Sequence, residues 1–137
     1  MNRFAFLLCL LLAWVNNSQA NKITDFYEIE NVQPPNLLIQ RYGNSRGGQG
    51  TQADGLDFMP DGRLVACFVG GEVFTLNPKT GKWKLFADGL HTPLGVVALN
   101  DREVMVSQRP ELTRLKDSNG DGVADEYSVF SDDFGVS

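Results

Sequence analysis

The sequence lacks paired cysteines and an excess of basic residues. Only Cys9 and Cys67 are present, and Cys9 lies in the N-terminal apolar run. No disulfide framework is therefore expected, and Cys67 is interpreted as a small buried thiol in a strand. The net charge is −5, with 12 basic against 17 acidic residues. A chain with this charge is a poor partner for nucleic acid.

The sequence also lacks an apolar run long enough to cross a membrane. The run Phe4 to Val15 falls short of the roughly 20 residues that a spanning helix needs. A short basic segment precedes it, and a polar stretch with the small residues Ser18 and Ala20 follows it, which is typical of a cleavable secretory signal peptide. We expect a signal peptide over 1–20, cleavage after Ala20, a secreted or periplasmic protein and no stable membrane anchor.

The residues after the leader divide into two parts. Residues 21–54 are expected to form a leading strand and a loop. Two consecutive prolines in Phe26 to Gln40 suit an edge strand better than a helix, and the glycine- and serine-rich stretch Gly43 to Asp54 suits a flexible surface loop. Residues 55–137 consist of short strand-like runs separated by turn residues.

The strand pattern of residues 55–137 occurs twice. Three segments of the first unit align with segments of the second: Asp61 with Asp101, Glu72 to Leu76 with Glu111 to Leu115, and Trp83 to Phe86 with Tyr127 to Phe130. A period near 40 residues with four strands per unit is typical of β-propeller blades. An immunoglobulin-like sandwich has similar strand spacing but does not predict a repeat in matching register. The predicted fold is all-β, the N-terminal portion of a β-propeller with about two four-stranded blades.

The loop that begins at Asp117 carries the most specific chemical pattern. Oxygen-bearing side chains stand at its positions 1, 3, 5 and 9 and a glycine at position 6, as in calcium-binding loops. The predicted ligands are the side chains of Asp117, Asn119, Asp121 and Asp125 and the carbonyl of Val123. Position 12 is Ser128 rather than glutamate, and no helix pattern flanks the loop. This predicts a rigid Ca²⁺ staple rather than an EF-hand switch; the alternative is an acidic hairpin loop without an ion.

Alternating strand direction places the turns at two opposite ends of the blades. One end is expected to carry Asp61-Gly62, Asn77 to Gly81 and the loop Asp117 to Asp125. The other end is expected to carry Gly70-Gly71, the link around His91 and the turn at Arg109.

Two residues at the second end are candidate catalytic or cofactor-binding groups. His91, the single histidine of the sequence, is a candidate base for hydride abstraction by a quinone. The alternative is a loop histidine bonded to the backbone. Arg109 is a candidate for holding a carboxylate-bearing cofactor or an anionic sugar. The alternative is an arginine that pairs with Glu111 beside a hairpin turn.

A resemblance to a known family is carried by two runs, GLDFMPDGRLVACFVGGEVFTLNPKTGKWKLFADGLHTPLGV and SQRPELTRLKDSNGDGVADEY. The chain resembles, over roughly Tyr27 to Ser137, the N-terminal blades of secreted bacterial β-propellers of the membrane-bound dehydrogenase type, relatives of the soluble quinoprotein glucose and sorbosone dehydrogenases. The resemblance implies the front of a larger protein and, in a full-length relative, pyrroloquinoline quinone as cofactor. The catalytic histidine of those enzymes closes a motif like GLLGVALHPDF. The nearest match, PLGVVALND, has Asn100 there, and an amide cannot act as the base.

Two blades cannot close a ring, because propellers have about four or more. We therefore expect either the front of a longer protein or a small β-domain that closes by self-association. The preferred functional prediction is a calcium-stabilised binding or scaffold module of a larger envelope protein. The alternative is the N-terminal part of a quinoprotein-like sugar dehydrogenase, inactive alone. Expected partners are the rest of the longer protein or a second copy, with carbohydrate as a candidate ligand.

Overall fold

A computed structural model describes residues 30–43 and 51–133. The predicted signal peptide, residues 21–29 and most of the predicted loop after Gly43 lie outside the described residues. The chain divides into two compact units, Met1–Asn31 and Val32–Ser137, and every element described below belongs to the second. Among the described residues, no helix has the length and apolar character needed to span a membrane.

The described part of the chain contains one short helix, α1, followed by eight strands. Their bounds are α1 Asn36–Tyr42, β1 Ala53–Phe58, β2 Leu64–Phe68, β3 Val73–Asn77, β4 Lys82–Ala87, β5 Gly95–Asn100, β6 Glu103–Ser107, β7 Leu112–Lys116 and β8 Glu126–Ser131. Strands β1 to β4 form one antiparallel sheet (sheet 1), and β5 to β8 form a second (sheet 2), each in sequence order. The prediction of a mainly β chain with two four-stranded units is confirmed.

The two sheets repeat each other pair by pair, as the aligned segments of the sequence predict. Three cross-strand pairs of sheet 1 recur in sheet 2: Gly55 with Cys67 as Gly95 with Ser107, Ala66 with Phe74 as Val106 with Thr113, and Leu76 with Trp83 as Leu115 with Tyr127. The irregularity in pairing between Val73 and Phe74 also recurs, between Leu112 and Thr113. Residues at corresponding places of the two sheets can therefore be compared directly.

The sheets pack on each other through faces that are not equivalent. Successive residues of a strand point to opposite faces, so Val65 and Cys67 lie on one face of sheet 1 and Ala66 on the other. Val65 and Cys67 join the core between the sheets, whereas Ala66 belongs to a second cluster that includes Leu38 of α1. Val106, the counterpart of Ala66, lies in the core between the sheets. The stacking is therefore head to tail.

The core between the sheets is apolar and closely packed around β2 and β6. Val65, Cys67, Val104 and Val106 are all fully buried there. The prediction for Cys67 is confirmed, since its side chain is fully buried in β2. Burial raises the pKa of its thiol to about 11. A thiol of this kind remains protonated and unreactive at neutral pH.

The predicted leading edge strand is wrong in the part that the structure describes, because Asn36–Tyr42 is a helix. Pro35 occupies the N-cap with an extended backbone, φ −55° and ψ 133°, so the prolines precede the helix and remove no hydrogen bond from it. Leu38 is fully buried and packs in one cluster with Ala66 and Phe74 of sheet 1. The predicted loop also ends earlier than expected, since β1 begins at Ala53.

Candidate functional site

The predicted calcium loop connects β7 to β8 and is held in place by both sheets. The Asp117 amide donates to the carbonyl of Arg102 in the β5–β6 turn at 2.8 Å. The Ala124 amide donates to the carbonyl of Phe86 in β4 at 2.7 Å. Ala124 also lies in the core between the sheets. The loop is therefore a bridge between sheet 1 and sheet 2.

Asp117 is the buried centre of this loop. Asp117 is only 4% exposed. Its two carboxylate oxygens accept hydrogen bonds from the amides of Gly120 at 2.6 Å and Gly122 at 2.8 Å. Both glycines have φ of 82°, a left-handed conformation that favours glycine. The main chain can therefore wrap around the Asp117 carboxylate.

The next two predicted ligands also turn their oxygens toward the main chain of the loop. Asn119 Oδ1 accepts the Asp121 amide at 2.8 Å, and Asp121 Oδ1 accepts the Val123 amide at 2.8 Å. These are consecutive Asx turns. A carboxylate or amide oxygen has two lone pairs, so each of these bonds leaves capacity to bind a cation.

Asp125, the fourth predicted side-chain ligand, is turned toward the start of the loop. Its Oδ1 accepts hydrogen bonds from the Ser118 amide at 3.0 Å and from the Ser118 hydroxyl at 2.8 Å. The hydrogen bond from the amide lowers the pKa of Asp125. Among the residues that the structure describes, no three carboxylate, histidine or cysteine side chains converge as a metal-binding group. The structure thus links Asp117, Asn119 and Asp121 within one loop, while Asp125 bonds to Ser118.

Two cationic side chains flank the loop. The ammonium group of Lys84 in β4 donates to the Asp121 carbonyl. The guanidinium of Arg102 lies beside Gly120, where a Cβ atom would be 3.0 Å from Nη2. They offset part of the loop's negative charge, and Lys84 adds a second link to sheet 1.

His91 and Arg109 lie next to each other at the opposite end of the sheets. The Arg109 amide donates to the His91 carbonyl at 3.0 Å, and the His91 amide donates to Gln108 Oε1 at 2.6 Å. Both residues are exposed. Arg109 does not form the ion pair with Glu111, whose Oε1 instead accepts the Thr113 hydroxyl at 2.7 Å. The structure brings the two candidates together through the main chain.

Asn100 lies at the other end of β5 from His91. Its Nδ2 donates to Glu103 Oε2 at 2.9 Å, and its Oδ1 accepts the Arg102 amide at 2.9 Å, so the side chain holds the β5–β6 turn. Because β5 runs from Gly95 to Asn100 and a strand rises about 3.3 Å per residue, His91 and Asn100 are separated by the length of this strand.

A charged cluster around the buried Glu72 is not indicated by the sequence. Glu72, fully buried, pairs with Arg41 Nη1 at 2.8 Å and accepts the Tyr42 hydroxyl at 2.8 Å. Arg41 Nη2 reaches Asp88 at 2.7 Å and lowers the pKa of that carboxyl. The cluster fastens α1 to sheet 1 and to the link before sheet 2. No local pattern indicates it, because Arg41 directly follows the segment Phe26 to Gln40 that the prolines assign to a strand, and Glu72 lies 31 positions further along the chain.

The comparison with protein families covers sheet 2 and the end of sheet 1. The chain is similar over residues 77–137 to a family model described as a domain of unknown function (DUF7133). The matched stretch includes β4, the whole of sheet 2 and the loop from Asp117 to Asp125. No curated protein and no solved structure matches the chain.

Proposed function

We propose that this chain is a calcium-stabilised module of stacked β-sheets, the front of a secreted β-propeller, which serves as a binding or scaffold element of a larger envelope protein. The observation that carries this proposal is the head-to-tail stacking of two equivalent sheets, bridged by the loop between β7 and β8. Repetition of such stacking around an axis is how a propeller is built. The resemblance to secreted bacterial propellers supports the same assignment.

The calcium ion would act on the junction between the sheets. The donor set, Asp117, Asn119, Asp121, Asp125 and the Val123 carbonyl, consists of hard oxygens, which calcium prefers. Three carboxylates within nine residues repel one another unless a cation neutralises them. Because Ala124 bonds to Phe86, ordering the loop would also stiffen the contact with sheet 1.

Calcium titration by calorimetry tests this assignment on a chain lacking residues 1–20. We expect binding with a Kd on the order of 10⁻⁴ to 10⁻³ M, because position 12 offers no bidentate glutamate. At a tenfold excess over Kd, calcium should then stabilise the fold by about 1.4 kcal/mol. Magnesium should bind poorly, since it demands a small octahedral shell.

Two variants make the calorimetry specific to the loop. Asp121→Ala should abolish the heat of binding. Asp132→Ala removes the same charge at an exposed position outside the loop and should leave the heat unchanged. Equal heats from the two variants, or no heat from the parent chain at millimolar calcium, would remove the metal assignment.

The second candidate function, part of a quinoprotein-like sugar dehydrogenase, is favoured by the juxtaposition of His91 and Arg109 on exposed segments. We nevertheless expect residues 21–137 not to reduce an artificial electron acceptor with aldose sugars, pyrroloquinoline quinone and calcium, because Asn100 stands where the relatives carry their base. Acceptor bleaching measures this. Turnover that disappears in His91→Ala but persists in Asn100→Ala would establish the enzyme instead.

A further inference from the structure

One face of sheet 2 carries the counterparts of the residues that sheet 1 turns toward sheet 2. We call it the open face and define it by Gly95, Leu99, Arg114 and Phe130. Phe86 of sheet 1 is fully buried, whereas its counterpart Phe130 is 67% exposed. Met59 is 2% exposed and its counterpart Leu99 is 45% exposed. The same apolar positions that form the junction on sheet 1 are therefore unused on sheet 2.

The glycines of the first strands show the same difference at the level of the backbone. A Cβ at Gly55 would lie 2.7 Å from both the Gly95 Cα and the Val96 amide nitrogen. Gly55 is thus required by the close approach of β5. Its counterpart Gly95 has nothing within 4 Å of the corresponding position. Gly95 leaves room for a strand backbone that no described residue supplies.

Polar groups at the junction indicate what the partner would present. Two cations of sheet 1 donate to carbonyls of sheet 2: Arg63 Nη2 to the Asp101 carbonyl at 2.6 Å, and Lys84 to the Asp121 carbonyl. The open face carries cations at Arg114 and Lys116, which line a cavity of about 90 Å³. Their side chains are 49% and 45% exposed. Each already pairs with a carboxylate that lines the same cavity, Arg114 with Glu103 and Lys116 with Glu126. Their remaining N–H groups suit a partner whose turns present carbonyl oxygens, whereas an incoming carboxylate would meet Glu103 and Glu126.

We propose that the open face binds a third four-stranded antiparallel sheet of the same repeat, with the backbone of its first strand passing over Gly95. The proposal rests on the proposed function and names the partner of that module. A second copy of the chain cannot dock head to tail on the open face, since the face of sheet 1 that it would have to present lies under α1, where Leu38 is fully buried. The occupant is a sheet carried on additional polypeptide.

The test is an extended chain in which a copy of residues 90–133 follows residue 133. This copy carries the face that already packs on sheet 1. Hydroxyl-radical footprinting should show oxidation of Phe130 in the first copy falling about tenfold, toward the value for Phe86. Asp132→Glu in the appended copy separates the two Phe130 peptides by mass.

Valine substitutions at the paired glycines separate this proposal from the one on which it rests. Gly95→Val should leave the oxidation of Phe130 unchanged in the 137-residue chain. In the first copy of the extended chain, the same substitution should restore oxidation of Phe130. Gly55→Val should expose Phe86 in both chains. If Gly55→Val leaves Phe86 protected, sheets 1 and 2 do not stack through Gly55 as described, and the proposed function is then wrong as well.

Three results would overturn the docking proposal alone. The first is full oxidation of Phe130 beside an appended copy whose amides are protected from exchange. The second is an appended copy that stays unprotected, because the open face then fails to support a sheet of its own repeat. The third is a dimer of the unextended chain in which Phe130 is protected, which would make a second copy the occupant.

Discussion

Phe86→Ala is expected to lower the free energy of unfolding by about 3–5 kcal/mol, the range for removal of a fully buried aromatic side chain. Phe86 is fully buried in the core between the sheets, and its carbonyl accepts the Ala124 amide from the loop that begins at Asp117. The cavity would open at the junction, where neither sheet can collapse without losing its contact with the other. Urea denaturation followed by circular dichroism measures the loss.

Phe130→Ala is the matched control, because Phe130 occupies the corresponding place in sheet 2 and is 67% exposed. Its effect in the 137-residue chain should stay within about 0.5 kcal/mol, as for most surface substitutions. The two variants remove the same atoms from equivalent strands. Similar losses at both positions would show that the sheets are not stacked head to tail.

The strands and their repeat could be predicted because the information is local. Short apolar runs end at turn residues such as Pro60-Asp61-Gly62 and Asn77 to Gly81, and these fix where each strand stops. The alignment of Phe86 with Phe130 then identified equivalent places in two sheets. What the alignment could not show is that one phenylalanine is buried and the other exposed, since burial depends on which face a neighbouring sheet covers.

Helix α1 could not be predicted because it depends on distant contacts. It has only 7 residues, too few to be stable alone in water, and its one fully buried side chain, Leu38, needs sheet 1 to pack against. Arg41 reaches Glu72 across 31 positions of the chain. In the sequence the prolines favour an edge strand, whereas in the structure they precede the first helical turn.

The loop at Asp117 depends both on local sequence, as the strands do, and on distant contacts, as α1 does. Its ligand spacing is local and was read from the sequence, and the bonds from Gly120 and Gly122 to the Asp117 carboxylate fit that pattern. The neighbours that tune its charge come from elsewhere: Lys84 belongs to sheet 1 and Arg102 to another turn. Calcium affinity would therefore depend on the stacking of the sheets as well as on the loop.

Arg41→Ala is expected to lower the free energy of unfolding by about 2–4 kcal/mol and to detach α1. The substitution leaves the fully buried carboxylate of Glu72 without its cation, and an unpaired buried charge costs about 3–5 kcal/mol. The expected loss is somewhat smaller because the Arg41 side chain is 38% exposed. Trp83, the one tryptophan outside the leader, donates to the Gln33 carbonyl, so its fluorescence reports on the segment that carries α1.

Three comparisons identify the buried charge as the cause. Adding Glu72→Gln to Arg41→Ala should recover more than half of the loss, since a neutral amide costs less to bury than a carboxylate. Arg109→Ala, at an exposed arginine without an ion pair among the described residues, should change the free energy of unfolding little.

The third comparison is the pH dependence of stability. Arg41 lowers the pKa of Asp88, so the stability contributed by this pair is present above about pH 4 and disappears as the pH falls through the lowered pKa. Arg41→Ala should flatten that acid limb; an unchanged limb with Trp83 fluorescence intact would show that the cluster does not hold α1.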